Sequence, residues 1–173
     1  MDLASLIRNV PDFPVPGIQF KDITTLLLHP AAFRFIIDGW KSRYADKGVT
    51  AIVGADARGF VFGGALAYAM GLPLVMARKK GKLPADTISE EYELEYGTAT
   101  LEIHHDALKP GDRVVLIDDL LATGGTMRAI TNMVEKLGAE IVEIAFVVEL
   151  PPLKGRVKLE PHSVHSLVEF MVD

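Results

Sequence analysis

The run VVLIDDLLATGGTM, Val114 to Met127, constrains this chain more than any other segment. An apolar stretch with the composition of a buried strand leads into two adjacent acids. A small, glycine-rich turn bearing hydroxyls follows, and then an amphipathic helix. The parts suit a phosphorylated sugar. Asp118 and Asp119 can accept hydrogen bonds from ribose hydroxyls. Ala122, Thr123, Gly124, Gly125 and Thr126 can surround a phosphate with backbone N–H groups and hydroxyls at a helix N-terminus, where the dipole favours an anion. Turning successive N–H groups inward demands positive φ or close backbone approach, which glycine supplies. The competing reading is an ordinary strand–turn–helix with solvated acids. Successive strand side chains face opposite ways, so two neighbouring acids serve one ligand only where the backbone leaves the strand.

The rest of the chain repeats this layout. A helix is expected after Pro30, with Phe33, Ile36, Ile37 and Trp40 at helical spacing. Ala51 to Ala55 reads as a buried strand, followed by a small-residue helix from about Gly59 to Met70, in which Gly63 and Gly64 permit close packing. Leu74 to Ala77 is a short strand. Val114 to Ile117 is a longer one, and its helix runs from about Thr126 to Leu137, ended by Gly138. Further strands are expected at Ile141–Val148 and Val164–Val168. The fold class is therefore α/β, a mostly parallel sheet with helices on both faces, whose ligands gather at the carboxyl ends of the strands. Two segments break the rhythm. PDFPVPGIQFKD, which follows an amphipathic stretch from Leu3 to Val10, is punctuated by proline and glycine and cannot be regular helix. Residues 78–104 are charged, with Tyr92, Leu94 and Tyr96 alternating with Glu91, Glu93 and Glu95. That period of two predicts a hairpin or extended arm between two parallel strands, and polar insertions of this kind often act as lids.

Composition narrows the field. At 173 residues the chain is expected to form a single domain, 1–173. Hydrophobic residues make up 49% and mean hydropathy is +0.25, which suits a subunit interface as well as a core. A net charge of −5 argues against general nucleic-acid binding, which needs a basic face. Arg78, Lys79, Lys80 and Lys82 are a local exception. With no cysteine, disulfides and thiolate chemistry are excluded. Asp2 and the early prolines do not fit a signal peptide, and no apolar run approaches the roughly 20 residues of a membrane helix, so a cytoplasmic protein away from membranes is expected. The five histidines lack metal-ligand spacing, and no protein metal site is expected.

GADARGF places Asp56 and Arg58 just past the strand Ala51–Ala55. Backbone N–H groups around Ala57 at the helix start, with a guanidinium fork that matches phosphate oxygens, would make a pyrophosphate site. The alternative is a surface arginine capping a turn. Neither GxxxxGK[ST] nor GxGxxG occurs, which speaks against a nucleoside triphosphatase or a dinucleotide enzyme.

The Val114–Met127 run resembles the phosphoribosyl-pyrophosphate (PRPP) motif of the type I phosphoribosyltransferases, and its LLATGGT version is similar to that of the adenine phosphoribosyltransferase family. Other motifs follow in family order. GADARGF resembles the family's pyrophosphate loop, which often carries a non-proline cis peptide. GKLP (Gly81–Pro84) resembles its mobile loop, in which Lys82 would help hold pyrophosphate; a charge run is otherwise a solvated face. LEYG (Leu94–Gly97) resembles the motif whose glutamate sits by the purine. Glu95 would then assist proton movement on adenine and Tyr96 would help the arm at about 78–104 close as a lid, whereas a Glu in an alternating strand otherwise faces solvent. PGIQFKD (Pro16–Asp22) resembles the hood that covers adenine, here about residues 10–22. Phe20 would stack on the purine, with backbone near Ile18 and Lys21 reading its edge; the competing place for Phe20 is the core.

The resemblance implies adenine plus PRPP giving AMP and pyrophosphate, a pentosyl transfer of purine salvage. Pyrophosphate leaves C1′ of ribose and N9 of adenine attacks from the other face. Ala122 to Thr126 would hold the 5′-phosphate, and Asp118 and Asp119 the 2′- and 3′-hydroxyls. Arg58 and Lys82, with Mg²⁺ carried mainly by PRPP and pyrophosphate oxygens and water, would neutralise the leaving group. Such enzymes act as homodimers. Two rivals stand beside this reading: a transferase for a 6-oxopurine such as xanthine or hypoxanthine, and a non-catalytic PRPP-sensing regulator, which would need a DNA-binding appendage or a basic face.

Overall fold

A computed structural model describes residues 1–94 and 96–171. The chain enters through a small antiparallel hairpin, β1 (Arg8–Pro11) and β2 (Gln19–Asp22), with Val10 opposite Phe20 and Asn9 opposite Lys21. Its connecting loop is pinned by Asp12, whose carboxylate accepts from the Gly17 N–H at 2.8 Å. After α1 (Thr24–Leu27), α2 (Pro30–Tyr44) begins at a proline, whose missing N–H costs nothing in a first turn. It buries Ile36, Ile37, Trp40 and Tyr44. The alternation then runs β3 (Ala51–Ala55), α3 (Arg58–Met70), β4 (Leu74–Lys79), β5 (Thr87–Glu93), β6 (Thr98–His104), β7 (Arg113–Leu121), α4 (Gly125–Lys136), β8 (Glu140–Glu149), α5 (Gly155–Leu159) and β9 (Val164–Glu169).

The main sheet has the order β5-β6-β4-β3-β7-β8-β9. The strands from β4 to β9 in that order pair in parallel, apart from the antiparallel β5–β6 hairpin on the β4 edge. The α/β expectation thus holds. Successive residues of the inner strands serve two cores. Val53, Leu116 and Phe146 pack with Met127, Ile130 and Met133 of α4. Ile52, Val115, Ile117 and Val147 pack with Trp40 of α2 and with Phe62 and Leu66 of α3. Burial on both faces is why these strands read as continuous apolar runs instead of alternating ones. Each large side chain so buried contributes about 1.5–3 kcal/mol.

The order has one consequence for function. From β3 the chain moves outward to β4, and β7 then returns to the other side of β3. Strand order reverses between β3 and β7, and in open α/β sheets the crevice at such a switch point, outside the carboxyl ends of the strands, is where ligands bind.

Residues 78–104 fold mainly as the β5–β6 hairpin. It joins the parallel strands through Arg78 opposite Glu102 and Lys79 opposite Leu101, and just past β4 the Lys80 N–H donates to the Thr100 carbonyl at 3.0 Å. It also leans on α4: Ile88 and Tyr92 pack on the core there, and Glu90 pairs with Lys136 at 2.5 Å. No helix among the described residues is long and apolar enough to cross a membrane.

Near the start of β8, the buried Glu143 gathers four donors. Arg43 donates from Nε at 2.6 Å and Nη2 at 3.1 Å, the Tyr44 hydroxyl at 2.8 Å and the Ser163 hydroxyl at 2.9 Å. Burial raises the pKa of this carboxyl, but the donors outweigh it and bring it from an ordinary 4.5 to about 2. A depressed folded value means that the stabilisation is complete above the ordinary value and is lost as pH falls towards the folded one. Glu143→Gln is expected to cost on the order of 2–3 kcal/mol near neutral pH. It should also flatten the acid side of the stability curve, read as urea midpoints between about pH 5 and about pH 2. A variant curve that runs parallel to the parent across that window would remove the network from the account.

Candidate active site

Two helix N-termini meet at the switch point. After β3 the chain turns through Asp56 and Ala57, joined by a cis peptide bond, and α3 begins at Arg58. Its first turn lies directly on β7, because Gly59 has no side chain: a Cβ there would stand 2.8 Å from the Ile117 carbonyl oxygen and 3.1 Å from Oδ1 of Asp118. Arg58 Nε donates to Oδ2 of the buried Asp119 at 2.5 Å. Burial works against the arginine's charge, yet the Asp119 hydrogen bond and the charges of Asp119 and Asp118 more than offset it, and its pKa lies above the ordinary value. Neither terminal amino group of Arg58 has a hydrogen-bond partner among the described residues, and the side chain is about half exposed.

The strand β7 does not end at Ile117 as expected from the sequence. It runs through both acids to Leu121. Val114 and Leu116 face the α4 side and Val115 and Ile117 the α3 side. The two acids that follow have different partners. Asp118 lines a cavity of about 210 Å³, whereas Asp119 holds Arg58. Enclosure, and then the neighbouring Asp119 charge, raise the pKa of Asp118 well above the usual carboxylate range. Its Oδ1 accepts from the Asp119 N–H at 2.8 Å.

Residues 122–124 then turn the chain into α4. Gly124, at φ +88°, occupies the left-handed region that favours glycine. It also passes close to α5, since a Cβ at Gly124 would stand 2.8 Å from the Gly155 carbonyl oxygen. Ala122, Thr123, Gly124, Gly125 and Thr126 all line the Asp118 cavity, so the structure brings the whole predicted cradle together at one helix N-terminus. Tyr92, Glu93 and Leu94 of the hairpin form its other wall.

A second cavity, about 410 Å³, opens on the α3 side between the small hairpin and Arg58. Val10, Phe13, Phe20, Asp22 and Thr24 line it with that arginine. Phe13 and Phe20 meet edge to face, with centroids 5.2 Å apart, so Phe20 belongs to a cavity wall and not to the main core. Asp22 is fixed by the Thr24 hydroxyl at 2.6 Å and by Arg8 Nη2 at 2.7 Å; these hydrogen bonds, Thr24's first, bring its pKa down to about 2.

Ala57 and Asp119 adjoin Arg58 without lining either cavity, and three more expected residues stand away from both. Lys21 alternates with Phe20 and faces the other way: its ammonium donates to Asn9 Oδ1 at 2.7 Å and lies 4.7 Å from the centre of the Phe170 ring. Its side chain therefore lines neither cavity. Lys82 sits exposed in the turn after β4, where Gly81 N–H donates to Glu102 at 2.6 Å, and lines neither cavity. Tyr96 is 87% exposed beyond the end of β5. Glu95 lies outside the described residues. Conversely, sequence reasoning passed over Phe13, Asp22, Gly59 and Gly155. The two glycines stood in short GADARGF and LKGR strings whose packing partners lie far away in the chain.

A phosphoribosyl transferase domain model matches residues 23–169. The adenine phosphoribosyltransferase of Chloroflexus aurantiacus is 56% identical over 98% of this chain and 98% of its own length. Among solved structures, the adenine phosphoribosyltransferase of Thermoanaerobacter pseudethanolicus superposes with a TM-score of 0.94 at 48% identity, covering 98% of both chains. That of Saccharomyces cerevisiae, complexed with D-2,5-dideoxy-2,5-imino-altritol 1,6-bisphosphate and adenine, superposes with a TM-score of 0.91 at 38% identity over 96% of both chains. The chain belongs to the phosphoribosyl transferase domain family, in its adenine phosphoribosyltransferase branch.

The cradle geometry yields a graded expectation. If this cradle holds the PRPP phosphate, Thr126→Ala is expected to cost about 1.5–3 kcal/mol of PRPP binding, one hydrogen bond to a charged group. Gly124→Val should cost more, because it places a branched side chain at positive φ against the Gly155 carbonyl. Calorimetric titration with PRPP measures both, and unchanged affinity in the pair would take the loop out of the site.

Proposed function

We propose that this chain transfers the 5-phosphoribosyl group from PRPP to N9 of adenine, giving AMP and pyrophosphate for purine salvage. One observation carries the reading: the LLATGGT cradle and the Arg58 helix start flank a single switch point, with an aromatic cavity beside Arg58. In this reading the cradle 122–126 holds the 5′-phosphate through helix N-terminal N–H groups and the Thr123 and Thr126 hydroxyls. Asp118 accepts from a ribose hydroxyl. Asp119 acts on the ribose side as well, and also aims Arg58, whose free amino groups and the nearby Ala57 backbone bind pyrophosphate. Phe20, with Phe13 edge-on, packs against adenine, and backbone of the small hairpin, the hood, reads its edge near Lys21.

The reaction breaks the bond from C1′ to the pyrophosphate oxygen and forms the N9–C1′ bond on the opposite face, with positive charge developing on the ribose. Positioning and charge stabilisation are the larger part of the protein's contribution. Glu95 assists the proton that adenine gives up, and Tyr96 and Lys82 come into play as the hairpin closes over both substrates. Mg²⁺ fits this donor set as an ion that PRPP brings with it. No three His, Asp or Glu side chains converge as a cage among the described residues, and this ion binds through one or two carboxylates, water and substrate phosphates. Asp119 is engaged by Arg58, so Asp118 is the carboxylate that could approach such an ion. Carried on PRPP oxygens and water, Mg²⁺ would neutralise pyrophosphate oxygens as they depart.

We place the enzyme in the cytoplasm as a homodimer. Val61 and Tyr68 of α3 and Leu74 and Met76 of β4 are exposed, and Leu74 touches α3 at Gly64. A second copy would cover this apolar face next to Arg58. Neither a 6-oxopurine substrate nor a regulatory role is favoured, since the relatives are adenine enzymes over their full length.

Purified protein given PRPP and Mg²⁺ should consume adenine and release AMP and pyrophosphate, with hypoxanthine, guanine and xanthine left unchanged. Comparable turnover of a 6-oxopurine would overturn the base assignment. Asp118→Asn should lower turnover by more than it weakens AMP binding, because a carboxylate facing a developing cation helps the transition state over the ground state. Wild-type turnover in that variant would return Asp118 to a structural role.

A further inference from the structure

The floor of the phosphate loop is another loop, and an ion-pair network outside the site holds that floor in place. Gly155 opens α5 directly beneath Ala122–Gly124. A Cβ at Gly155 would stand 2.5 Å from the Ala122 carbonyl oxygen and 2.7 Å from Cδ1 of Leu121. The Gly155 carbonyl in turn leaves no room for a Cβ at Gly124. Two backbones thus touch with no side chain between them, so any shift of Gly155 moves the cradle. Gly155 follows Lys154, which sits at φ +56°. That is a conformation an L residue keeps only where its surroundings enforce it.

Arg156, two residues after Lys154, is anchored on both sides. Arg156 presents its fork to the buried Glu149, Nε to Oε1 at 2.8 Å and Nη2 to Oε2 at 2.7 Å. Its Nη1 donates to the Val164 carbonyl at 2.7 Å, and the Ser166 hydroxyl donates to Glu149 Oε2 at 2.7 Å. Glu149 ends β8 opposite Leu121, the last residue of β7 before the cradle, and Leu150 N–H donates to the Leu121 carbonyl at 3.0 Å. None of Glu149, Arg156 and Ser166 lines the phosphate cavity.

We infer that the Arg156–Glu149–Ser166 network is a positioning device that sets the phosphate cradle through Gly155, and so governs affinity for PRPP in particular. The inference rests on the reading of residues 122–126 as the 5′-phosphate site. A rigid bidentate fork suits this task, since it fixes direction as well as distance. The same strand supplies the control. Arg43–Glu143–Ser163 is a chemically matching network at the other end of β8, away from the cradle.

Steady-state kinetics and urea unfolding of variants of the whole protein test this. Arg156→Met should raise the KM for PRPP about tenfold, the scale of one lost hydrogen bond to a charged group, with kcat and the KM for adenine within about twofold. Arg156→Lys should fall between, because an ammonium cannot replace the fork. Ser166→Ala, the mildest change, should raise the KM for PRPP about two- to threefold, and it decides the question if Arg156→Met does not fold. Arg43→Met should lower the urea midpoint as Arg156→Met does while leaving both KM values alone. If the Arg156 and Ser166 variants leave the PRPP KM unchanged, or shift every kinetic constant alike, the clamp is overturned. Thr126→Ala in the same assay separates the two readings. A raised PRPP KM there keeps the cradle standing even if the clamp falls. An unchanged one removes the cradle and takes the clamp with it.

Discussion

A carboxylate with almost no solvent contact must be paired or neutralised, and Asp119 is paired with Arg58. That one ion pair joins the end of β7 to the start of α3, and the rest of the site is arranged around it. The pair brings two helix N-termini to a common crevice. It holds the guanidinium by Nε and leaves the two amino groups without a partner among the described residues. It also places a positive charge near both carboxylates, which helps Asp118 and Asp119 to stand next to each other inside a strand. Without Arg58, two neighbouring acids at the end of an apolar strand would be a liability for folding as well as a loss for binding.

The central strands divide the work by face. On the α4 side, β7 delivers Asp118 and the glycine turn that follows it. On the α3 side, it delivers Asp119 and, through it, Arg58 and the cavity under the small hairpin. A ligand with a phosphate at one end and a flat base at the other would cross the carboxyl edge of the sheet between these two pockets, with its sugar over the acids. Adjacent acids with different partners, Asp118 in one pocket and Asp119 on the Arg58 that lines the other, would allow one molecule to be gripped at both ends.

Much of this was legible in the sequence because it is local. Ala51–Ala55 and Val114–Ile117 announced themselves as continuous apolar runs, and α2 through the spacing of Ile36, Ile37 and Trp40. The cradle was readable because its glycines, hydroxyls and helix start are consecutive. What escaped is long-range. β7 extends past its apolar part because Phe146, Val148 and Glu149 of β8 continue to pair with it, which no local preference for Asp in a strand would predict. The facing of Lys21 depends on the register of β1 against β2, and a one-residue alternation puts it on Phe170 instead of in the cavity. α5 is a short helix whose place depends on Glu149, seven residues before Arg156, and on Leu121, far back in the chain. The arm at 78–104 was expected from its period of two, but its contact with α4 through Tyr92 and Glu90 was visible only in the folded chain.

The electrostatics of the site make sense only when the reaction is included. The chain is acidic overall and its site holds two carboxylates, yet the proposed ligand is a polyanion. Net charge does not decide this, because the attraction is local: helix N-termini at Gly125 and Arg58, with one guanidinium, face the phosphates. Asp118 is the informative group. In the ligand-free protein, enclosure and its neighbour disfavour its ionised form. In the proposed reaction, positive charge grows on the sugar beside it, and that charge favours the ionised form most strongly at the transition state. A carboxylate held in a site that poorly solvates its charge therefore contributes little to holding the substrate and more to passing the barrier. The strain of keeping two acids together is the same physical arrangement that makes them useful, and Arg58 keeps that strain within what the fold can bear.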